Sequence, residues 1–244
     1  MKQAALSIRI TALAILCMLL SSCAAELTAM RRDRDFVLRN PSTMTVLVLD
    51  PEVKLVKMVF SGRNERMRVS EKDACKSVEA CVERGLKEAG FSVQTGDVEA
   101  LTRNDPELML TLLKARLAYG SVMERLYYEP LLPGEQAFAI QESLGPVVNL
   151  LGDRMNVDAV FFCRLSGFKK ATGQMAKEVA ASVLLAAVTG VAVVPEQEGG
   201  VIDAALVDVT TGRVLWANVL PGFHAPDTLG KYLMKSFAAS RKQE

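Results

Sequence analysis

Residues 1–23, MKQAALSIRITALAILCMLLSSC, constrain the rest of the chain more than any other stretch. Lys2 and Arg9 supply a positive flank, Ile10 to Leu20 supply an apolar stretch, and small residues with a cysteine follow. That is the order of a secretory signal peptide. As a helix the apolar stretch would reach about 16 Å, roughly half of the ~30 Å hydrocarbon core, so it is too short for a permanent transmembrane anchor. Residues 1–22 are therefore expected to be removed, and the remainder must fold in an oxidising compartment outside the cytosol.

The end of this stretch, Leu20-Ser21-Ser22-Cys23, resembles the lipobox of bacterial lipoproteins. The resemblance implies that the Cys23 thiol receives a diacylglyceryl group, that cleavage falls just before it, and that Cys23 becomes an acylated N-terminus carrying fatty acids such as palmitate. Each buried methylene contributes about 0.8 kcal/mol, so one acyl chain binds a membrane only marginally whereas two or three hold firmly. Ala24 stands where enteric lipoproteins carry an inner-membrane retention Asp, which implies an outer-membrane anchor with the domain on the periplasmic face.

Charge then narrows the partners. Taking Lys2 and Arg9 from the 29 basic residues leaves 27 against 28 acids, close to neutral. With no long Lys/Arg block, this argues against a surface built to neutralise nucleic-acid phosphates. Once Cys17 leaves and Cys23 is lipidated, Cys75, Cys81 and Cys163 remain. Cys75 and Cys81 sit six apart on an expected helix, about 240° around its axis, and cannot bridge while it is intact. A bridge from either to Cys163 stays open beside the simpler reading of unpaired thiols.

Residues 23–42 mix charges without periodicity and read as a lipidated N-terminus and tether, with Arg31, Arg32 and Arg34 solvated between Asp33 and Asp35. Residues 43–244 read as a single α/β domain. Thr43 to Leu49 is a β-rich apolar run stopped by Asp50-Pro51, and Val53 to Phe60 either extends it or pairs beside it. Ser70-Glu71-Lys72-Asp73 resembles a capping box, opening a helix whose Cys75, Val78, Val82, Leu86 and Ala89 share a face and which Gly90 ends. Phe91 to Val93 is the next expected strand. A helical insert at about residues 105–155 contains a helix from Asp105-Pro106 to Tyr128, another from Pro133-Gly134 to about Leu144, and Val147 to Met155 after Pro146. Strand character returns at Val157 to Phe168, Gly200 to Val209 and Arg213 to Val219, before a closing helix at Asp227 to Ser240. The expected fold is a small mixed sheet flanked by helices, with a C-terminal β-hairpin and the helical insert.

No HExxH, paired CxxC, GxSxG, GxxxxGK[ST] or GxGxxG pattern is present, so the sequence marks no catalytic, cofactor or metal site. The single histidine, His224, lies in a Pro-flanked loop and reads as structural or solvated. Glu135 and Glu142 are spaced as solvated helix acids commonly are. Asp208-Val209-Thr210-Thr211-Gly212 reads as a hairpin turn in which Gly212 takes the left-handed conformation. The pattern from Leu206 to Trp216, LVDVTTGRVLW, with VDAVFF at Val157 to Phe162, resembles the periplasmic lipoprotein domains related to CsgG, LpoB and the N-terminal domain of TolB. That resemblance implies a non-enzymatic part of an envelope assembly, and the helical insert departs from it. Trp216 is either a core aromatic or an interface residue.

Val179 to Val194, VAASVLLAAVTGVAVV, carries no charge over sixteen residues. Helical, it would be about 24 Å long, short of a membrane span. Ser182, Ala186 and Gly190 would form a ridge of small residues open to close packing. Three readings stand: a buried helix, a contact with another subunit, or contact with a membrane. The functional expectation is an outer-membrane-anchored periplasmic lipoprotein without enzymatic activity, a component or adaptor in an envelope assembly. It would have a protein partner or form a homo-oligomer, with no nucleic acid, cofactor or recognisable small-molecule substrate. An oligomeric secretion channel and a periplasmic enzyme of unrecognised site are the alternatives.

Overall fold

The structure is a computed structural model that describes residues 30–33, 36, 40–59, 64–96, 100, 102–103, 105–127, 140–171, 177, 198–222 and 224–241. Its strands are β1 (Arg31–Arg32), β2 (Thr45–Leu49), β3 (Glu52–Met58), β4 (Asn64–Arg66), β5 (Ser92–Gly96), β6 (Ala159–Lys170), β7 (Glu198–Asp208) and β8 (Val214–Gly222). Its helices are α1 (Arg68–Glu88), α2 (Pro106–Tyr127), α3 (Val147–Met155) and α4 (Pro226–Ser240). The mixed α/β class expected from sequence is what is found.

β6 is the spine of the sheet. It pairs antiparallel with β7 from Ala159 opposite Asp208 to Lys169 opposite Glu198. On its other edge two short strands follow one another, both parallel to it: Val46–Val48 beside Ala159–Phe161, then Glu52–Met58 beside Arg164–Lys170. Asp50-Pro51 is therefore a break within one edge, and β3 extends β2, as one of the two sequence readings had it. β5 adds parallel to β2 and β4 antiparallel to β3, while β8 and then β1 continue beyond β7.

Residues alternate across the sheet, and each side builds a core. On one side Val46, Val48, Phe161 and Leu206 meet Val78, Val82 and Leu86 of α1 and Leu233 and Phe237 of α4. On the other, Leu47, Val160, Phe162 and Val207 meet Leu112, Ala115 and Met123 of α2 and Val148 and Leu151 of α3. The helices expected between 105 and 155 thus supply one whole outer layer of an α/β/α sandwich.

Four local expectations change. The N-terminal segment is not all solvated tether: β1 pairs with Ala217 and Trp216, Phe36 is in the core, and Arg32 Nη1 donates to the Ser240 carbonyl at 2.5 Å. Its mixed charges find partners, since Asp33 is buried against Arg213. Ser70 is not a cap, because α1 begins at Arg68 after Met67 and no side chain caps it. The start is instead tied to β3, with the Met67 N–H donating to the Leu55 carbonyl at 3.0 Å and Glu71 Oε1 accepting from the Leu55 N–H at 3.0 Å. On α1, Val78, Val82 and Leu86 are buried as expected, whereas Cys75 and Ala89 are only half-buried and Ala74 takes the inner position. The helix expected from Pro133-Gly134 to about Leu144 does not reach its end: residues 140–144 are not helical, and Ile140, Leu144 and Glu142 bond through their backbones to Arg32, Gly212 and Val214, while 133–139 lie outside the described residues. That segment fills the edge of the hairpin, which a helix would leave unsatisfied.

Gly90 ends α1 at φ +92 and Gly212 turns the β7–β8 hairpin at φ +68, both as the sequence predicts. Asp208 Oδ1 holds that turn by accepting from the Thr211 N–H at 2.7 Å and its hydroxyl at 2.8 Å.

Candidate interaction surface

The helix α2 opens on Pro106, whose missing N–H costs nothing in the first turn, with Asp105 Oδ1 accepting from the Leu108 N–H at 2.9 Å. Leu108, Leu112, Ala115, Tyr119, Val122, Met123 and Leu126 are buried at intervals of three and four, which presses one face onto the sheet. Tyr119 stacks on Phe162 with centroids 5.2 Å apart and donates its hydroxyl hydrogen to Asp203. Arg164 Nε donates to the other Asp203 oxygen at 3.0 Å. Arg116 bonds the Asp50 carbonyl at 3.1 Å and lies 3.2 Å from Glu52.

The helix is also clamped at its ends. Arg154 of α3 pairs with Asp105 at 2.9 Å and Glu107 at 2.8 Å, and Arg125 pairs with Glu142 at 2.8 Å. Each partly exposed pair contributes little alone, about 0–1 kcal/mol, but together they fix the orientation of a helix already held by its buried face.

So held, α2 turns Met109, Leu110, Leu113 and Leu117 outward, at 51%, 51%, 50% and 73% exposure. Leu150 on α3 is exposed as well. Fully burying an exposed side chain of this size is worth about 1.5–3 kcal/mol, and these four, half or more exposed, each leave roughly half of that or more unrealised in the isolated chain. Scattered exposed leucines are ordinary, whereas a contiguous stripe marks an interaction site. The sequence reading missed this stripe, although a signal was there: Leu108, Met109, Leu110, Leu112 and Leu113 are too many apolar residues for one face of a helix.

A second feature is a cavity of about 320 Å³ at the start of α1 and α4, floored by Leu55, Ala74, Leu165 and Leu229. His224 stands at its rim, edge-on to Tyr232 with ring centroids 5.4 Å apart. Among the described residues no group of three or more His, Cys, Asp or Glu side chains is placed to hold a metal ion. Cys75, Cys81 and Cys163 are all free, and burial pushes each thiol up, away from the reactive thiolate.

Of the residues singled out in the sequence, Cys23, Ser182, Ala186 and Gly190 lie outside the described residues. Trp216 has no exposed surface: it stacks on Phe161 at 6.2 Å and meets the Phe237 edge at 5.0 Å. It belongs to the core and presents nothing to a partner, because the hairpin that carries it is covered by α4. Among the described residues no helix is long and apolar enough to cross a membrane.

No protein-family model and no curated protein matches the sequence. Among solved structures the chain is similar to a PelC dodecamer from Paraburkholderia phytofirmans, at 11% identity and TM-score 0.38 over 88% of this chain and 96% of that one. It is similar to the lipoprotein GNA1162 from Neisseria meningitidis at 12% identity and TM-score 0.37, over 82% of this chain and 99% of that one. The LpoB C-terminal domain from Salmonella enterica matches at 12% identity and TM-score 0.27, over 72% of this chain and 81% of that one.

Proposed function

We propose that this protein is a lipoprotein of the bacterial outer membrane, held on the periplasmic face by acyl chains on Cys23, and that it acts without enzymatic chemistry as a component or adaptor of an envelope assembly. The structural observation that carries the reading is α2, a helix fixed on its inner side by Asp203, Glu52 and α3 while four large apolar side chains face outward. A rigid, preorganised apolar face suits docking, because little conformational freedom remains to be lost on binding. The address comes from Leu20-Ser21-Ser22-Cys23.

Metabolic labelling with a palmitate analogue tests the anchor. The natural chain should take up label and fractionate with outer membrane, and Cys23→Ala should do neither. Continued incorporation in that variant would remove the lipoprotein assignment. Gentle crosslinking of the native envelope tests the assembly: Leu117→Glu should abolish co-purifying species without lowering the melting temperature, and an unchanged set of species would remove α2 from the account.

A further inference from the structure

We infer that the occupant of the α2 stripe is a second copy of this chain, its own α2 laid antiparallel across the first. The pairing rests on the reading of α2 as the presented face and names what that face takes. Met109, Leu110, Leu113 and Leu117 extend over about 12 Å of helix, with Leu113 at the middle. In any antiparallel pairing that buries the whole stripe, Leu113 therefore lies at the two-fold axis, and Leu110 of each copy faces toward Leu117 of the other.

Charge selects the direction. Exposed Arg103 stands in the turn just before α2 and exposed Glu124 on its last turns, ten residues before and eleven after Leu113. An antiparallel pair brings Arg103 of each copy toward Glu124 of the other, giving two opposite-charge contacts that flank the leucines. A parallel pair sets Arg103 against Arg103 and Glu124 against Glu124, and like charges so placed are disfavoured. Exposed Ser121, between the stripe and Glu124, is small enough to leave room for the helices to approach at that end, while Gly120 beside it already faces the Arg164 guanidinium, 3.6 Å from where a Cβ would stand.

The patch is small beside the roughly 800 Å² per partner of a standard stable interface, so the pair is weak between freely diffusing molecules. Confinement on a common surface raises the effective concentration and makes such a contact sufficient. A lipid surface is the other apolar phase within reach, but the charges bordering the stripe are mixed, Glu107 and Glu124 with Arg103 and Lys114, whereas an interfacial helix carries a Lys/Arg-rich polar face.

The test is crosslinking of the full lipidated chain in its own membrane, with Cys75 and Cys81 replaced by serine, Leu113→Cys introduced and a short bis-maleimide as the probe. A homodimer band is expected. Arg103→Glu or Glu124→Arg alone should reduce it at least threefold, the double reversal should restore it, and Leu117→Glu should remove it, with melting temperatures unchanged throughout. Absence of the homodimer, or failure of the double reversal to restore it, overturns the pairing. A band joining Leu113→Cys only to a different protein also overturns it while leaving α2 as a docking face. Binding of the Cys23→Ala chain to phosphatidylethanolamine/phosphatidylglycerol vesicles, abolished by Leu117→Glu, would assign the stripe to lipid and overturn it as well.

Discussion

Arg164 and Asp203 face each other across the β6–β7 ladder, with Arg164 Nε 3.0 Å from Asp203 Oδ2, and the remaining Asp203 oxygen accepts the Tyr119 hydroxyl. One buried carboxylate thus joins the sheet to the helix that carries the outward leucines. Half-buried Arg164 also lies over the Tyr119 ring, its guanidinium carbon 5.8 Å from the centroid, so the three side chains hold one arrangement.

Replacing Asp203 with Ala leaves a buried hydroxyl and a half-buried guanidinium without their acceptor. The expected loss is about 1.5–3 kcal/mol, read as a lower urea midpoint with unchanged slope. Burial pushes the Asp203 carboxyl above its ordinary value of 3.8, while Tyr119 and Arg164 pull the other way without cancelling it. The native state therefore holds this proton more tightly than the unfolded chain does. Stability from this group is complete below about pH 3.8 and is lost as pH rises through the raised native value. Titrating the urea midpoint upward from pH 3.8, the difference between the natural chain and Asp203→Asn should shrink over that interval. A difference that grows with pH would mean that Asp203 is held below its ordinary range.

Ser70 and Glu71 make a contrasting pair. The Ser70 hydroxyl caps nothing, so Ser70→Ala should change stability by less than about 0.5 kcal/mol. Desolvation works against the Glu71 carboxylate, but hydrogen bonds from Arg66 and the Leu55 N–H and the nearby Arg66 and Arg68 charges outweigh it and hold the group below its ordinary range. Glu71→Ala breaks the tie between α1 and β3 and should lower stability by about 1–3 kcal/mol. Thermal melts of the two variants check this, and an equal loss in both would restore Ser70 as the cap.

The strands were legible where apolar runs met turn residues: Thr43 to Leu49 before Asp50-Pro51, and the hairpin around Gly212. Their order was not, because nothing local tells that β2 and β3 share one edge of β6. The start of α1 was misread because Ser70 and Asp73 carry the local signature of a cap, while the bonds that hold the helix come from Leu55, sixteen residues before Glu71. Arg31 and Arg32 looked like a solvated tether because their partners, on β8 and at Ser240, lie far along the chain. The outward leucines of α2 were hidden by the same helix's inner face, since period alone does not say which of two apolar sides meets the sheet.

Gly212 gives the sharpest backbone test. Its φ of +68 is strained for any other residue, and an added Cβ would come within 2.6 Å of the Gly145 carbonyl oxygen and 2.9 Å of Ser143 Oγ. The exposed Ser143 hydroxyl can rotate aside, but the Gly145 oxygen cannot swing away cheaply, because it is backbone and the neighbouring Leu144 N–H already donates to the Gly212 carbonyl at 2.8 Å. Gly212→Val should therefore cost more than the roughly 1–3 kcal/mol of conformational strain alone. A melting temperature within a degree of the parent would mean that the turn is built otherwise.

Cys163 reports how the sheet opens. It sits on β6 opposite Ala204, 5% exposed, and burial pushes its thiol up, with the charges of Asp203 and Cys75 adding to the shift. The thiolate is the attacking species, so N-ethylmaleimide should reach Cys163 only when β6 separates from its neighbours. Cys75 and Cys81 are half-buried on α1 and should label faster, on local fluctuations of that helix. When opening and closing are fast relative to labelling, the Cys163 rate follows the opening equilibrium, and every 1.4 kcal/mol of lost stability raises it tenfold. Asp203→Ala should accordingly speed Cys163 labelling by about 10- to 150-fold, while Ser70→Ala leaves it unchanged. Labelling of Cys163 as fast as Cys81 in the natural chain, read by peptide mass spectrometry over time, would show that β6 opens locally and does not form the spine of the fold.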